Sequence, residues 1–286
     1  MRKKYILMMV IVILIGLGIF AEVKFLKPMR IAKKEIENLQ SCDFTVRYHT
    51  NMLTGEEASR DKLWEMLNID PDRGVLQGKK RGETLQVQCY TERKETYITE
   101  VFMNAEEQKF NVKPIYELTI SGLQQNMNFP LSNMIPQMQD CYVSMDQIRE
   151  LFDLEETKEV PEQLPSDVLS KWDSRAIFLM KKCDIPADSE YQQELQTMKL
   201  FSLANPENEN QIIIFGINGK VPKDRDTLFV RFEEGERFIE FVLEYEVSEE
   251  KETIILPANT LSEKEIQSLK NSLKMLRGLG NLVPSA

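Results

Sequence analysis

Leu228-Phe229-Val230-Arg231-Phe232-Glu233-Glu234-Gly235-Glu236-Arg237-Phe238-Ile239-Glu240-Phe241-Val242-Leu243-Glu244-Tyr245-Glu246-Val247-Ser248 reads as two strands joined by a tight turn, and this reading decides the fold class. Leu228, Val230 and Phe232 alternate with polar positions, and the glycine within Glu234-Gly235-Glu236 reverses the chain. Beyond it, Ile239, Phe241, Leu243, Tyr245 and Val247 take one phase while Glu240, Glu244 and Glu246 take the other. That period of two predicts an antiparallel meander with one wet face and one apolar face.

The same period recurs on both sides of this stretch. Gln211 to Asn218 is nearly all apolar and predicts a strand buried on both sides; Thr253 to Leu256 predicts a final short strand ended by Pro257. Toward the N-terminus, Cys42 to Thr50, Gly74 to Lys80 and Gln108 to Val112 read as strands, and Glu83 to Thr91 pairs with Glu95 to Asn104 through a turn at Glu92-Arg93-Lys94. Helical signals lie between the strand groups. Pro28 to Gln40 carries a proline near its start, Ala58 to Leu67 has Leu63, Trp64 and Leu67 at helical spacing, and Pro114 to Leu123 follows a strand. Ser144 is placed to cap a helix running to Phe152, another stretch runs from Ser166 toward Met180, and Thr260-x-x-Glu263 forms a capping box before Ile266, Leu269, Leu273 and Leu276. Strands outnumber helices and no strand-helix-strand alternation demands a parallel sheet. The expected class is α+β, with a large antiparallel sheet covered on its apolar face by helices.

Address is read from the other end of the chain. Met1-Arg2-Lys3-Lys4 runs into an apolar block from Tyr5 to Ala21 with no further charge before Glu22. A basic flank ahead of such a block predicts export or membrane anchoring, cytoplasm-in. The block lies at the short end of the ~17–25 residues that span a ~30 Å hydrocarbon core, and Lys24 and Lys27 extend its reach by snorkelling. Cleavage sites of the small-x-small kind are poor, which favours a retained transmembrane helix over a removed signal peptide. The expected organisation is residues 1–23 as membrane anchor or signal segment and residues 24–286 as one extracytoplasmic α+β domain.

Composition narrows the partners. The chain has net charge -10; taking Arg2, Lys3 and Lys4 from its 36 basic residues leaves 33 against 46 acidic ones beyond the anchor. Such a surface repels phosphate backbones, so nucleic acid is excluded as an expected partner. The four cysteines, Cys42, Cys89, Cys141 and Cys183, match no zinc spacing, and a single histidine cannot complete a ligand set, so neither metal nor cofactor is expected. Cys42 falls in phase with Phe44, Val46 and Tyr48, and Cys89 with Leu85 and Val87. Both face inward in this reading, and they can bridge if their strands are neighbours.

No catalytic motif emerges. The nucleophile elbow, the zinc-protease helix and the phosphate-binding loops are absent, and His49 falls in the outward phase with Thr45 and Arg47, where a solvated strand histidine is the expected state. Met134 and Met138 belong to a methionine-rich, proline-punctuated middle segment suited to adaptable apolar contact.

Local phrases add a resemblance. Asn111-Val112-Lys113-Pro114 ending a strand, Tyr142-Val143-Ser144-Met145-Asp146-Gln147-Ile148 entering a helix, and Ile255-Leu256-Pro257 before Leu261-Ser262-Glu263-Lys264-Glu265-Ile266 are similar to exported Gram-positive proteins of the LolA/LppX-like lipoprotein-carrier fold. The order of helix, strands, helical middle and second strand set over residues 40 to 279 resembles that fold in layout. The resemblance implies a strongly curved half-barrel with helices on its concave face and a groove for acyl chains or apolar peptide. The group brings no catalytic residues, and this chain has no cysteine at a lipoprotein position. The expected function is therefore a non-enzymatic, membrane-tethered binding module for a lipid or lipidated protein, with Ile239, Phe241, Leu243 and Tyr245 facing Met134 and Met138 across an apolar groove. The alternative is a cell-envelope interaction or sensor domain with a solid core and no small ligand.

Overall fold

The computed structural model describes residues 34, 37–52, 69–93, 95–127, 141–144, 146–147, 181–205, 208–218, 224–249 and 253–280. The strands are β1 (Ser41–Thr50), β2 (Arg73–Arg81), β3 (Thr84–Tyr90), β4 (Tyr97–Met103), β5 (Gln108–Asn111), β6 (Tyr142–Ser144), β7 (Lys181–Lys182), β8 (Lys199–Asn205), β9 (Asn208–Ile217), β10 (Arg225–Glu234) and β11 (Arg237–Val247). They form one 11-stranded sheet in the order β6-β5-β4-β3-β2-β1-β11-β10-β9-β8-β7. All its pairings are antiparallel, and the sheet is open.

Two meanders make this sheet, and β1 and β11 join them, with Cys42 opposite Val247 and Thr50 opposite Ile239. Tight turns set the register. Gly82 (φ 59°) and Gly235 (φ 64°) each take the first position of a two-residue hairpin loop, where the favoured turns require a left-handed backbone that a side chain resists. Among the described residues the edge strands β6 and β7 span three and two residues.

Among the described residues few helices accompany the sheet: α1 (Lys113–Met127), α2 (Gln192–Leu195) and α3 (Glu263–Gly280). The helical residues Lys34, Glu37 and Asn38 lead into β1, and Asn38 donates to the Tyr245 hydroxyl at 3.2 Å. Ser144 and Gln147 form a reciprocal cap: the Gln147 amide N–H reaches Ser144 Oγ at 3.2 Å, and Gln147 Oε1 accepts from Ser144 N–H at 2.9 Å.

Three sequence readings are corrected. Thr253 to Leu256 is not a strand; the segment contributes a parallel bridge from Thr260 to Tyr142, and Ile255 is 81% exposed. That bridge occupies Thr260, so the α3 cap moves two residues on, to Ser262, whose N–H donates to Glu265 Oε2 at 2.8 Å. The wet face of β11 is not uniformly wet either, because Phe238, Glu240 and Val242 in that phase are all buried. Segment 183–198 lies over them, packing Tyr191, Leu195, Ile185 and Met198 against Leu200, Ile214, Phe229 and Val242. The helices at Ala58 to Leu67 and Ser166 to Met180, and the anchor within residues 1–23, lie outside the described residues. Among the described residues no helix is long and apolar enough to cross a membrane.

Candidate functional site

Cross-strand register places the groove residues on a shared face, since opposed residues of an antiparallel pair project to the same side. Phe241 stands opposite Val230 and Tyr48, and Val230 opposite Phe215, which faces Phe201. One row along, Leu243 lies between Leu228 and Val46, continuing through Leu76 to Cys89. A third row runs from Tyr245 through Phe44, Gly78 and Val87 to Val101 and Phe110. The apolar face therefore extends from β8 to β5. Ile239, Phe241 and Leu243 are half-buried on it, whereas Tyr245 is fully buried.

Glycines let the aromatic rings lie flat along this face. A Cβ on Gly74 would stand 2.6 Å from the Tyr48 ring, and one on Gly78 would stand 2.8 Å from Phe44 Cζ and 2.1 Å from the Gln86 carbonyl. The structure thus brings together four of the predicted groove residues. Met134 and Met138 lie outside the described residues.

Cys42 and Cys89 share this face in the predicted phase, but they do not bridge. Both thiols are free, and β2 lies between β1 and β3. Lys80 is the β2 neighbour of Cys42 and Leu76 that of Cys89. Two strand spacings of ~4.8 Å separate them sideways, beyond the Cα spacing of ~5.5–6 Å typical of a disulfide. Burial raises both thiols, Cys89 to about 11, which keeps them protonated and weakly nucleophilic.

The opposite face carries a charged cluster that sequence reading did not find. Glu240 on β11 is 0% exposed, and its carboxylate meets Arg231 Nη1 at 3.1 Å, the Glu190 N–H at 3.0 Å and His49 Nδ1 at 2.9 Å. Arg231 is 3% exposed; its Nη2 bonds Asp188 at 2.8 and 2.9 Å, its Nε bonds Glu233 at 2.7 Å, and its guanidinium covers the Phe238 ring at 3.9 Å. His49, read from sequence as solvated, is only 11% exposed and stands edge-on to Phe238. Arg73 Nε reaches Glu190 at 2.7 Å, and Arg47 Nη1 reaches Glu194 at 2.9 Å. Three arginines of the sheet thus clamp the acidic residues of segment 188–194.

The clamp shifts its acids downward. Hydrogen bonding from Arg73 holds Glu190 below the ordinary carboxylate value; for Asp188, burial pushes upward but the Arg231 hydrogen bond and charge outweigh it. Groups depressed in the folded state stabilise it above their unfolded values of 3.8 and 4.5 and lose that contribution as pH falls through the depressed folded values. Thermal midpoints measured from pH 6 to pH 3 should therefore fall more steeply for the native chain than for Asp188→Asn/Glu190→Gln. Parallel curves would refute the assignment.

Chemically the cluster sets three arginines and His49 against five carboxylates, and each oxygen of Glu240 already accepts from a donor. Among the described residues no group of three or more His, Cys, Asp or Glu side chains is placed to hold a metal ion. The fold and faces define a two-sided, open antiparallel sheet protein with an extended apolar face. Comparison with protein-family models and with curated proteins returns no match to this chain.

Proposed function

We propose that this chain is a membrane-anchored, extracytoplasmic binding module that holds a lipid, or the acyl chain of a lipidated protein, against the apolar face of its sheet and catalyses no reaction. The observation that carries the reading is the extended apolar face from β8 to β5, interrupted by Asp226 beside Tyr245 and Lys80 beside Cys42, on which Ile239, Phe241 and Leu243 stay half-buried among other apolar side chains. Extended apolar surface of this kind marks ligand or partner contact. In this reading the sheet is the wall of a half-barrel, helices lie on its concave side as the LolA/LppX-like resemblance implies, and the Tyr5–Ala21 block is the transmembrane helix. A ligand pocket of ~300–1,000 Å³ would suit one or two acyl chains.

The test is native mass spectrometry of the full chain extracted gently from membranes. Co-purifying lipid is expected, and Phe241→Glu should abolish it, because a carboxylate placed against acyl chains pays a desolvation cost. Circular dichroism of the variant separates loss of ligand from loss of fold. Lipid-free native protein at every stage of purification would overturn the proposal in favour of a solid interaction domain.

A further inference from the structure

A second site follows from the other face of the same sheet. Between the parts covered by segment 183–198 and by Tyr142 lies a trough of about 440 Å³. Its floor is built by register. Gln88, Gln77, Thr45, Glu244 and Thr227 stand side by side on β3, β2, β1, β11 and β10, and Gln86, Lys79, Asp43, Glu246 and Arg225 form the next row on the same strands. At ~4.8 Å per strand the rows run for about 19 Å across the sheet.

The carboxylates on this floor are already paired, and the ammonium of Lys79 stands on β2 opposite Asp43. Asp43 takes Arg81 at 2.6 Å, Glu244 takes Arg47 at 3.2 Å, and Glu246 pairs with Arg225. An anionic ligand would meet three carboxylates, and a cationic one would have to displace their guanidinium partners. Beside these charged groups the floor carries a run of amide and hydroxyl side chains, a type able both to donate and to accept. Two of the amides are held in place: the buried Glu100 accepts from Gln86 Nε2 at 2.8 Å and Gln88 Nε2 at 3.3 Å, and from the Tyr142 hydroxyl at 2.9 Å. Tyr90 donates to Gln88 Oε1 at 2.9 Å, so that side chain is fixed at both ends.

We infer that this trough binds an extended, uncharged, hydroxyl-rich ligand, a neutral oligosaccharide lying across the strands. A chain of sugar rings offers paired donors and acceptors along its length, needs no counter-charge, and matches a floor elongated across five strands. With hydrogen bonds rather than apolar burial as the main contacts, the affinity is weak, since each bond exchanged with water nets only ~0.5–1.5 kcal/mol. The site is independent of the apolar face, so this module would meet a lipid on one side and a glycan on the other.

Saturation-transfer NMR on the full chain in phosphatidylcholine nanodiscs, with cellotetraose, chitotetraose and maltotetraose as probes, tests it. At least one probe should show saturable transfer. Thr45→Val/Gln77→Leu should weaken that probe about fivefold or more, the factor for one or two lost hydrogen bonds. Thr227→Val, at the far end of the same row, should weaken it less, and it keeps the test decisive if the double variant misfolds. No transfer from any probe, transfer unchanged in both variants, or displacement of the tetraose by tetraglutamate or tetralysine would overturn the inference. Lipid occupancy should be the same in all these variants, which separates failure here from failure of the lipid reading.

Discussion

Arg231→Leu should lower the unfolding free energy by about 3–5 kcal/mol, the cost of leaving a buried charge without its partner. The charge left behind is that of Glu240, which is 0% exposed and would keep only His49 and the Glu190 N–H. Asp188 would lose both of its bonds to Arg231, and with them its hold on the sheet. Glu240→Leu should cost less, because Arg231 would retain Asp188 and Glu233. The double substitution Arg231→Leu/Glu240→Leu should recover most of the loss, since an apolar pair of similar volume commonly replaces a buried ion pair at little cost. Urea unfolding of the full chain in detergent, followed by far-ultraviolet circular dichroism, reads all three values. A single Arg231 variant within 1 kcal/mol of the parent, or a double variant whose loss equals the sum of the singles, would show that the cluster is not a coupled buried unit.

Why this cluster escaped sequence reading is itself a physical point. Alternation in β10 and β11 gave the strands, the turn at Gly235 and the apolar phase carrying Phe241 and Leu243 correctly, because period and turn chemistry are local properties. Glu240, Glu244 and Glu246 make the other phase look wet. Yet Phe229, Phe238 and Val242 sit in that phase, and apolar residues there were the available signal that something covers it. What covers it is segment 183–198, whose one short helix of 4 residues has too few turns to announce an apolar stripe. Cys42 and Cys89 give the same lesson in another form. Their phases were legible, but strand order is set by long-range pairing, which placed β2 between them. At Thr260-Leu261-Ser262-Glu263-Lys264-Glu265 two capping boxes overlap, and the bridge from Thr260 to Tyr142 selects the second.

Phe229→Ala should cost about 3–5 kcal/mol, and the surroundings place it toward the upper end of that range. Phe229 is 1% exposed and joins Tyr191, Leu195, Leu200, Ile214 and Val242 in one core. The site has little freedom to collapse. Gly216, its neighbour on β9, is so closely packed that a Cβ there would lie 2.9 Å from Phe229 Cβ and from Leu200 Cδ2, so the backbones already touch and cannot close over a lost ring. The cavity would open beneath the covering segment, and hydrogen exchange at Leu195, Gln196, Thr197 and Met198, whose amides bond within that segment, should accelerate more than exchange in β1 to β4. Phe241→Ala provides the contrast. Its ring is half-buried on the apolar face, so the same truncation removes less buried surface and should cost under half as much. Equal losses at Phe229 and Phe241 would mean that the two faces are equally packed, which would remove the physical basis for assigning the core to one face of the sheet and a ligand to the other.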